Sequence, residues 1–152
     1  GSHPGALESL VPRLTALFDA GTAGVRAAAA RVLADVADHR PDAVAPAAER
    51  VAALVDDDDE TARREATSVL AGLARTAPDR VRAAGAVEPL VGALSAEFTC
   101  TRSNAAWLLG RIGASEARDA LAARRRADPA TEVREAAAWA LARLDDTERR
   151  TE

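Results

Sequence analysis

The sequence predicts an all-α fold, four helical hairpins in a single array, and three observations carry the prediction. The segments VRAAAARVLADVA, ARREATSVLAGLA, TRSNAAWLLGRIG and VREAAAWALARLD align column by column; they start at residues 25, 62, 101 and 133, so their spacings are 37, 39 and 32. Self-similarity at such periods marks stacked units, none of which can bury its apolar face alone. Within each segment the apolar or small residues share one helical face, as at Val25, Ala29, Val32, Leu33 and Val36, or at Val133, Ala137, Ala140, Leu141 and Leu144. The punctuation keeps the same rhythm, with RPDAV at 40–44 and APDRV at 77–81.

The elements follow in chain order. Ahead of each aligned segment lies another helical pattern, over Leu7–Phe18, Asp42–Val55, Asp79–Leu94 and Ser115 to about Arg126, which gives repeats of about 6–40, 41–77, 78–113 and 114–145. In RPDAV and APDRV a Pro precedes an Asp that can accept hydrogen bonds from the unpaired N–H groups of the next helix. The third boundary, GASEA at 113–117, offers instead a Gly suited to a left-handed helix stop and a Ser cap. Pro12, Pro46 and Pro89 fall inside first helices; each removes a backbone hydrogen bond, so bent or split helices are expected there. Gly1, Ser2 and His3 read as an expression-tag remnant, 4–146 as one repeat domain, and 147–152 as a polar tail.

Composition narrows the function. A chain of 152 residues, 48% hydrophobic and 29% charged, has the balance of a folded soluble domain. The stretch AAGAVEPLVGALSA (83–96) is far short of the roughly 20 apolar residues that cross a bilayer. No leader pattern opens the chain, so no membrane partner and a cytoplasmic location are expected. Cys100 alone excludes an internal disulfide, and with His3 and His39 it supplies too few ligands for a zinc site, so neither metal nor cofactor is expected. Every basic residue is Arg and Ala is abundant, a bias resembling proteins of GC-rich genomes such as those of halophilic archaea or actinobacteria. A net charge of −4 exerts no general pull on nucleic acid. The DDDDE run (56–60) reads as a solvated helix N-terminus, RRR (124–126) as a solvated face, and Cys100 has no catalytic partner in view.

Over residues 6–145 these segments resemble the HEAT and armadillo class of α-solenoids. VREAAAWAL and GASEARDAL are similar to short prokaryotic HEAT repeats, and AGAVEPLVGAL followed by NAAWLLGRIG is similar to an armadillo repeat. The resemblance implies a right-handed α–α superhelix with the second helices lining its concave side. It also implies a ladder between repeats, built from an Asp six residues before an Arg. Asp57 with Arg63 and Asp128 with Arg134 match that motif, whereas Arg26 and Arg102 have Ala20 and Ala96 at the acidic position.

Two tryptophans, Trp107 and Trp139, each precede an Arg by four residues, Arg111 and Arg143. At about 100° per residue this row and the ladder arginines flank opposite sides of the apolar face. Both tryptophans admit core packing or a ligand-facing role. In armadillo proteins a Trp with an Asn four residues on forms rungs that hold an extended peptide. Here Arg replaces that Asn, and the matching columns of the first two repeats hold Arg31 with Asp35 and Ser68 with Gly72. Any such groove is therefore expected in the C-terminal half. Rungs about 10 Å apart would reach one extended segment, and the guanidinium forks would favour an acidic peptide. Asn104 at the groove edge, Ser103 and Arg64 complete the candidate ligand-binding set. The expected function is a non-enzymatic protein-interaction scaffold that binds an extended or acidic segment on its concave face. The alternatives are an oligomerising assembly component, or a nucleic-acid-binding protein similar to HEAT-like DNA glycosylases.

Overall fold

A computed structural model describes residues 4–19 and 21–151. Its α-helices are α1 (Pro4–Ala16), α2 (Ala23–His39), α3 (Pro41–Val44), α4 (Ala48–Leu54), α5 (Glu60–Ala74), α6 (Pro78–Ala83), α7 (Val87–Ala93), α8 (Thr99–Arg111), α9 (Arg118–Ala127) and α10 (Thr131–Thr151). Helices α2, α5, α8 and α10 pack side by side in that order as one layer, backed by α1, α3–α4, α6–α7 and α9. The result is the expected all-α superhelix of four hairpins. The aligned columns explain the stacking. Val69, Leu108 and Ala140 hold equivalent positions and are fully buried, as are Leu70, Leu90, Leu109 and Leu121 between the layers. As far as Thr151, the polar residues after 146 continue α10.

The helix breaks follow local chemistry, though not every Pro acts as expected. Pro46 sits in a 3-10 turn, Ala45–Ala47, that separates α3 from α4. The gap between α6 and α7 is made by Gly85, whose φ of 80° is open to glycine and strained for other residues. Pro89 lies harmlessly in the first turn of α7. Helix α1 runs unbroken through Pro12. Pro41 and Pro78 start α3 and α6, where a missing N–H costs nothing. Arg40 and Ala77, not the Asp residues, hold the N-cap positions. The Asp42 carboxylate binds Arg40 at 3.1 and 3.2 Å and also takes the backbone N–H groups of Asp42 and Ala43 in the first turn of α3, and together these hold it below the ordinary range. At GASEA the Gly113 N–H reaches the Gly110 carbonyl and the Ala114 N–H reaches Leu109, a left-handed stop with φ 71° at Gly113. Ser115 makes no cap there.

The ladder exists, but its rungs differ from those the motif implies. Arg26 grips Asp57 of the next repeat with Nε at 2.8 Å and Nη2 at 3.1 Å, and Arg102 grips Asp128 at 2.9 and 3.2 Å. The cross-repeat pairs thus use the arginines whose own repeats lack the acid; Ala20, one of the two acid-less positions, lies outside the described residues. Arg63 and Arg134 are tied within their own repeats, to the carbonyls of Val55 and Asp128 and to Glu60 and Thr131. Between repeats two and three, where Ala96 replaces the acid, Glu60 accepts from the Glu97 N–H instead. Burial pushes the Asp57 and Asp128 carboxyls up, but the Arg forks and the N–H groups of Asp59 and Ala130 outweigh it and hold both below the ordinary range. The acidic run is absorbed the same way: Asp57 is a rung, Asp59 caps α5 through the Ala62 N–H, and Glu60 bridges to repeat three. From RRR, Arg124 lies 3.5 Å from Asp128.

Candidate functional site

The candidate site is built where α8 meets α10. Gly110 has no side chain, and a Cβ there would lie 2.6 Å from the Ala140 Cα. This absence lets α10 approach α8 closely, and a Cβ on Gly110 would also come within 3.1 Å of the Trp139 ring. The two indoles consequently stack on each other, with centroids 6.0 Å apart and planes 11° from parallel. They are therefore not two rungs separated by a helix spacing. They form one offset aromatic pair, a geometry that satisfies the ring quadrupoles. Trp107 packs against the core, while Trp139 stays 40% exposed. Gly110 was the residue that the periodicity alone passed over. Its signal was a lone Gly among leucines, in a column that is Ala34, Ala71 and Ala142 elsewhere.

The two arginines that look alike in sequence do different work. Arg111 donates from Nε to the Ala74 carbonyl and from Nη2 to the Arg75 carbonyl, both at 2.9 Å, and so closes the C-terminus of α5. Arg143 lies over the Trp139 ring, its guanidinium carbon 5.6 Å from the centroid, within cation–π range. It also borders a small cleft with Asp146, Thr147 and Arg150.

The remaining candidates spread along the second-helix layer. Asn104 donates to the Thr67 hydroxyl at 3.3 Å, and that hydroxyl donates to the Arg64 carbonyl at 2.7 Å, so Asn104 links repeats three and two. Ser103 turns back onto the Cys100 carbonyl at 3.1 Å. Arg64 lies with its guanidinium carbon 5.2 Å from the Phe98 ring centroid. It also lines a cleft of ≈ 630 Å³ between α2 and α5, together with Arg31, Asp35, Thr61 and Glu65. The layer thus has open volume in the N-terminal half, while the Trp pair lies in the C-terminal half. Among the described residues no group of His, Cys, Asp or Glu could hold a metal ion, and no helix is long and apolar enough to cross a membrane.

The comparisons agree with this architecture. An engineered protein of known structure is 27% identical, with a TM-score of 0.74 over 88% of this chain and 62% of its own. A designed armadillo repeat protein is 26% identical, with a TM-score of 0.75 over 92% of this chain and 65% of its own. Another designed armadillo repeat protein, solved in complex with the peptide (KR)4, shares the fold at 22% identity, with a TM-score of 0.74 over 88% of this chain and 64% of its own. The chain therefore spans less than two thirds of the length of these structures. No curated protein matches it in sequence. Residues 47–142, well over half of the chain, match the family of HEAT repeats, and with the hairpin stack and Arg–Asp rungs described above, this chain belongs to the HEAT-repeat family.

Proposed function

We propose that the chain is a non-enzymatic interaction scaffold whose second-helix layer, the concave side of the superhelix, binds an extended acidic segment of a protein partner. The observation that carries this reading is Trp139: a large indole, two-fifths exposed, braced from behind by Trp107 at 6.0 Å and overlain by Arg143. Exposed, rigidly supported aromatics with an adjacent Arg are the residue types that dominate binding hot spots. The guanidinium fork of Arg143 suits a carboxylate, and the ring below supplies apolar contact to the chain that carries it. The cleft between α2 and α5 is lined by Asp35, Asp59 and Glu65 as well as Arg31 and Arg64, with Arg64 paired to Glu65 at 3.4 Å, so the reading rests on the Trp139–Arg143 platform. A HEAT solenoid hosts many functions, so the assignment rests on this site and not on the fold.

Titration with pools of acidic and basic peptides, followed by indole fluorescence, tests the proposal. The acidic pool is expected to shift the emission saturably, and Arg143→Glu to abolish the shift while leaving the helical circular dichroism intact. Equal responses to both pools, or wild-type binding by Arg143→Glu and by Trp139→Ala, would remove the platform as a ligand site.

A further inference from the structure

The three junctions between repeats are not built alike. Repeats one and two are fastened at both ends of their second helices. Near the N-terminal ends Arg26 grips Asp57 through two nitrogens, at 2.8 and 3.1 Å. Near the C-terminal ends Gly72 lies so close to α2 that a Cβ on it would be 3.0 Å from the Ala37 Cβ. Repeats three and four use the same scheme, with Arg102 on Asp128 and Gly110 against Ala140. The middle junction has neither device. Ala96 stands at the acidic position, and Arg63 turns to the Val55 carbonyl and to Glu60 of its own repeat. In the column of Gly72, α8 carries Arg111, and in the column of Gly110, α5 carries Ala71. Helices α5 and α8 share less packing than α2 with α5 or α8 with α10.

We propose that the chain moves as two blocks, repeats one and two against repeats three and four, about a hinge between α5 and α8. The pivot is Arg111, whose fork binds the Ala74 and Arg75 carbonyls at 2.9 Å and ties the C-terminal ends of the two helices together. Halfway along, Asn104 reaches the Thr67 hydroxyl at 3.3 Å. At the N-terminal ends the hydrogen bond that crosses is an exposed one, from the Glu97 N–H to Glu60 at 3.2 Å, and such a bond exchanges readily with water. The closed junction also holds an unmet polar group at that end. Thr101, in the first turn of α8, is fully buried with no partner for its hydroxyl among the described residues, whereas Ala62 and Val133 hold the equivalent place in repeats two and four. A buried, unbonded hydroxyl costs free energy, and water relieves it once the helix ends part. Opening is thus a scissor motion that spreads the N-terminal ends of α5 and α8. It turns the cleft of α2 and α5 relative to the indole pair, so the second-helix layer changes curvature at one place, as hinged domains do.

Asp56, Ser95 and Ala127 occupy equivalent, exposed positions just before α5, α8 and α10. In the full chain with the exposed Cys100 replaced, Cys100→Ser, spin labels on Asp56→Cys with Ser95→Cys report across the hinge. Labels on Ser95→Cys with Ala127→Cys report within a block. Double electron–electron resonance should give a broader distance distribution for the first pair than for the second. Adding Ala96→Asp supplies the missing acid, for Arg63 to grip as Arg26 grips Asp57, and should narrow the 56/95 distribution to the width of the 95/127 one. Ala96→Asp with Arg63→Met should leave it broad. Equal widths for the two pairs before the acid is added would overturn the proposal. So would a folded Ala96→Asp variant whose 56/95 distribution stays broad, or narrowing that persists with Arg63→Met. Should Ala96→Asp fail to fold, the comparison of the two pairs still decides it.

Discussion

Replacing Asp128 by Ala probes the best-buried rung of the ladder. Its side chain is fully buried and accepts from Arg102 Nε at 2.9 Å, Arg102 Nη2 at 3.2 Å and the Ala130 N–H at 2.9 Å. Removing one partner of a buried pair typically costs 3–5 kcal/mol, because the other charge remains desolvated. Arg102 would keep the Ala96 and Glu97 carbonyls, at 3.0 and 2.9 Å, which places the loss at the lower end, about 3 kcal/mol. In a chain of this size that corresponds to a midpoint lower by roughly 6–12 °C. Asp57→Ala should cost less, because the Arg26–Asp57 pair is more exposed, 18% and 13% against 11% and 0%. Thermal and urea unfolding of Asp128→Ala, Arg102→Met and the double variant give the coupling. The double variant should recover part of the single loss, since no unpaired charge is then left behind. If Asp128→Ala unfolds at the wild-type temperature, or the double variant is as damaged as the sum of the singles, the cross-repeat rung is not what holds repeats three and four together.

Acid should weaken the array through the same two rungs. Asp57 and Asp128 have folded pKa values held below their unfolded ones, so their contribution is present above about pH 3.9 and lost as pH falls through the folded values; Asp128→Asn should show a shallower acid slope, and an identical slope would contradict this. Gly110→Ala should destabilise by about 1–3 kcal/mol through overpacking against Ala140, and near-ultraviolet circular dichroism should show the indole pair disturbed; an unperturbed spectrum would mean that the helices can part without moving the rings. Arg111→Ala should lower the unfolding midpoint and Arg143→Ala should leave it nearly unchanged, because only Arg111 binds backbone carbonyls of another repeat; equal effects would erase the distinction between them.

The hairpin array was legible because the pattern of apolar columns repeats with the structure. Val69, Leu108 and Ala140 are buried for the reason their alignment gives. What the alignment could not show is which repeat a side chain reaches. Arg102 and Asp128 lie 26 residues apart and Arg26 and Asp57 lie 31 apart, whereas the visible motif spacing of six describes a chain segment and not a contact. Prolines behaved alike in the sequence and differently in the fold, because the cost of Pro depends on its turn of the helix: Pro89 falls in a first turn, Pro46 at a break, and Pro12 inside an unbroken helix.

The paired Trp and Arg motifs show the same limit from the other side, because identical spacing led to unequal roles. The difference lies behind each Arg, at the end of the preceding second helix. Helix α5 ends without a left-handed glycine, with the N–H groups of Arg75, Thr76 and Ala77 all directed at the Leu73 carbonyl. The Ala74 and Arg75 carbonyls receive Arg111. At the end of α8 the equivalent carbonyls are Gly113 and Ala114. Gly113 accepts from the Ser115 N–H and from Arg82, and Ala114 accepts from the Ala117 N–H, once the chain has turned through Gly113. Arg143 therefore meets a helix end whose acceptors are already engaged, and it settles on the Trp139 ring instead. A single left-handed glycine, 30 residues before Arg143, thus accompanies the difference between an Arg that fastens two repeats and one that stands over an exposed indole.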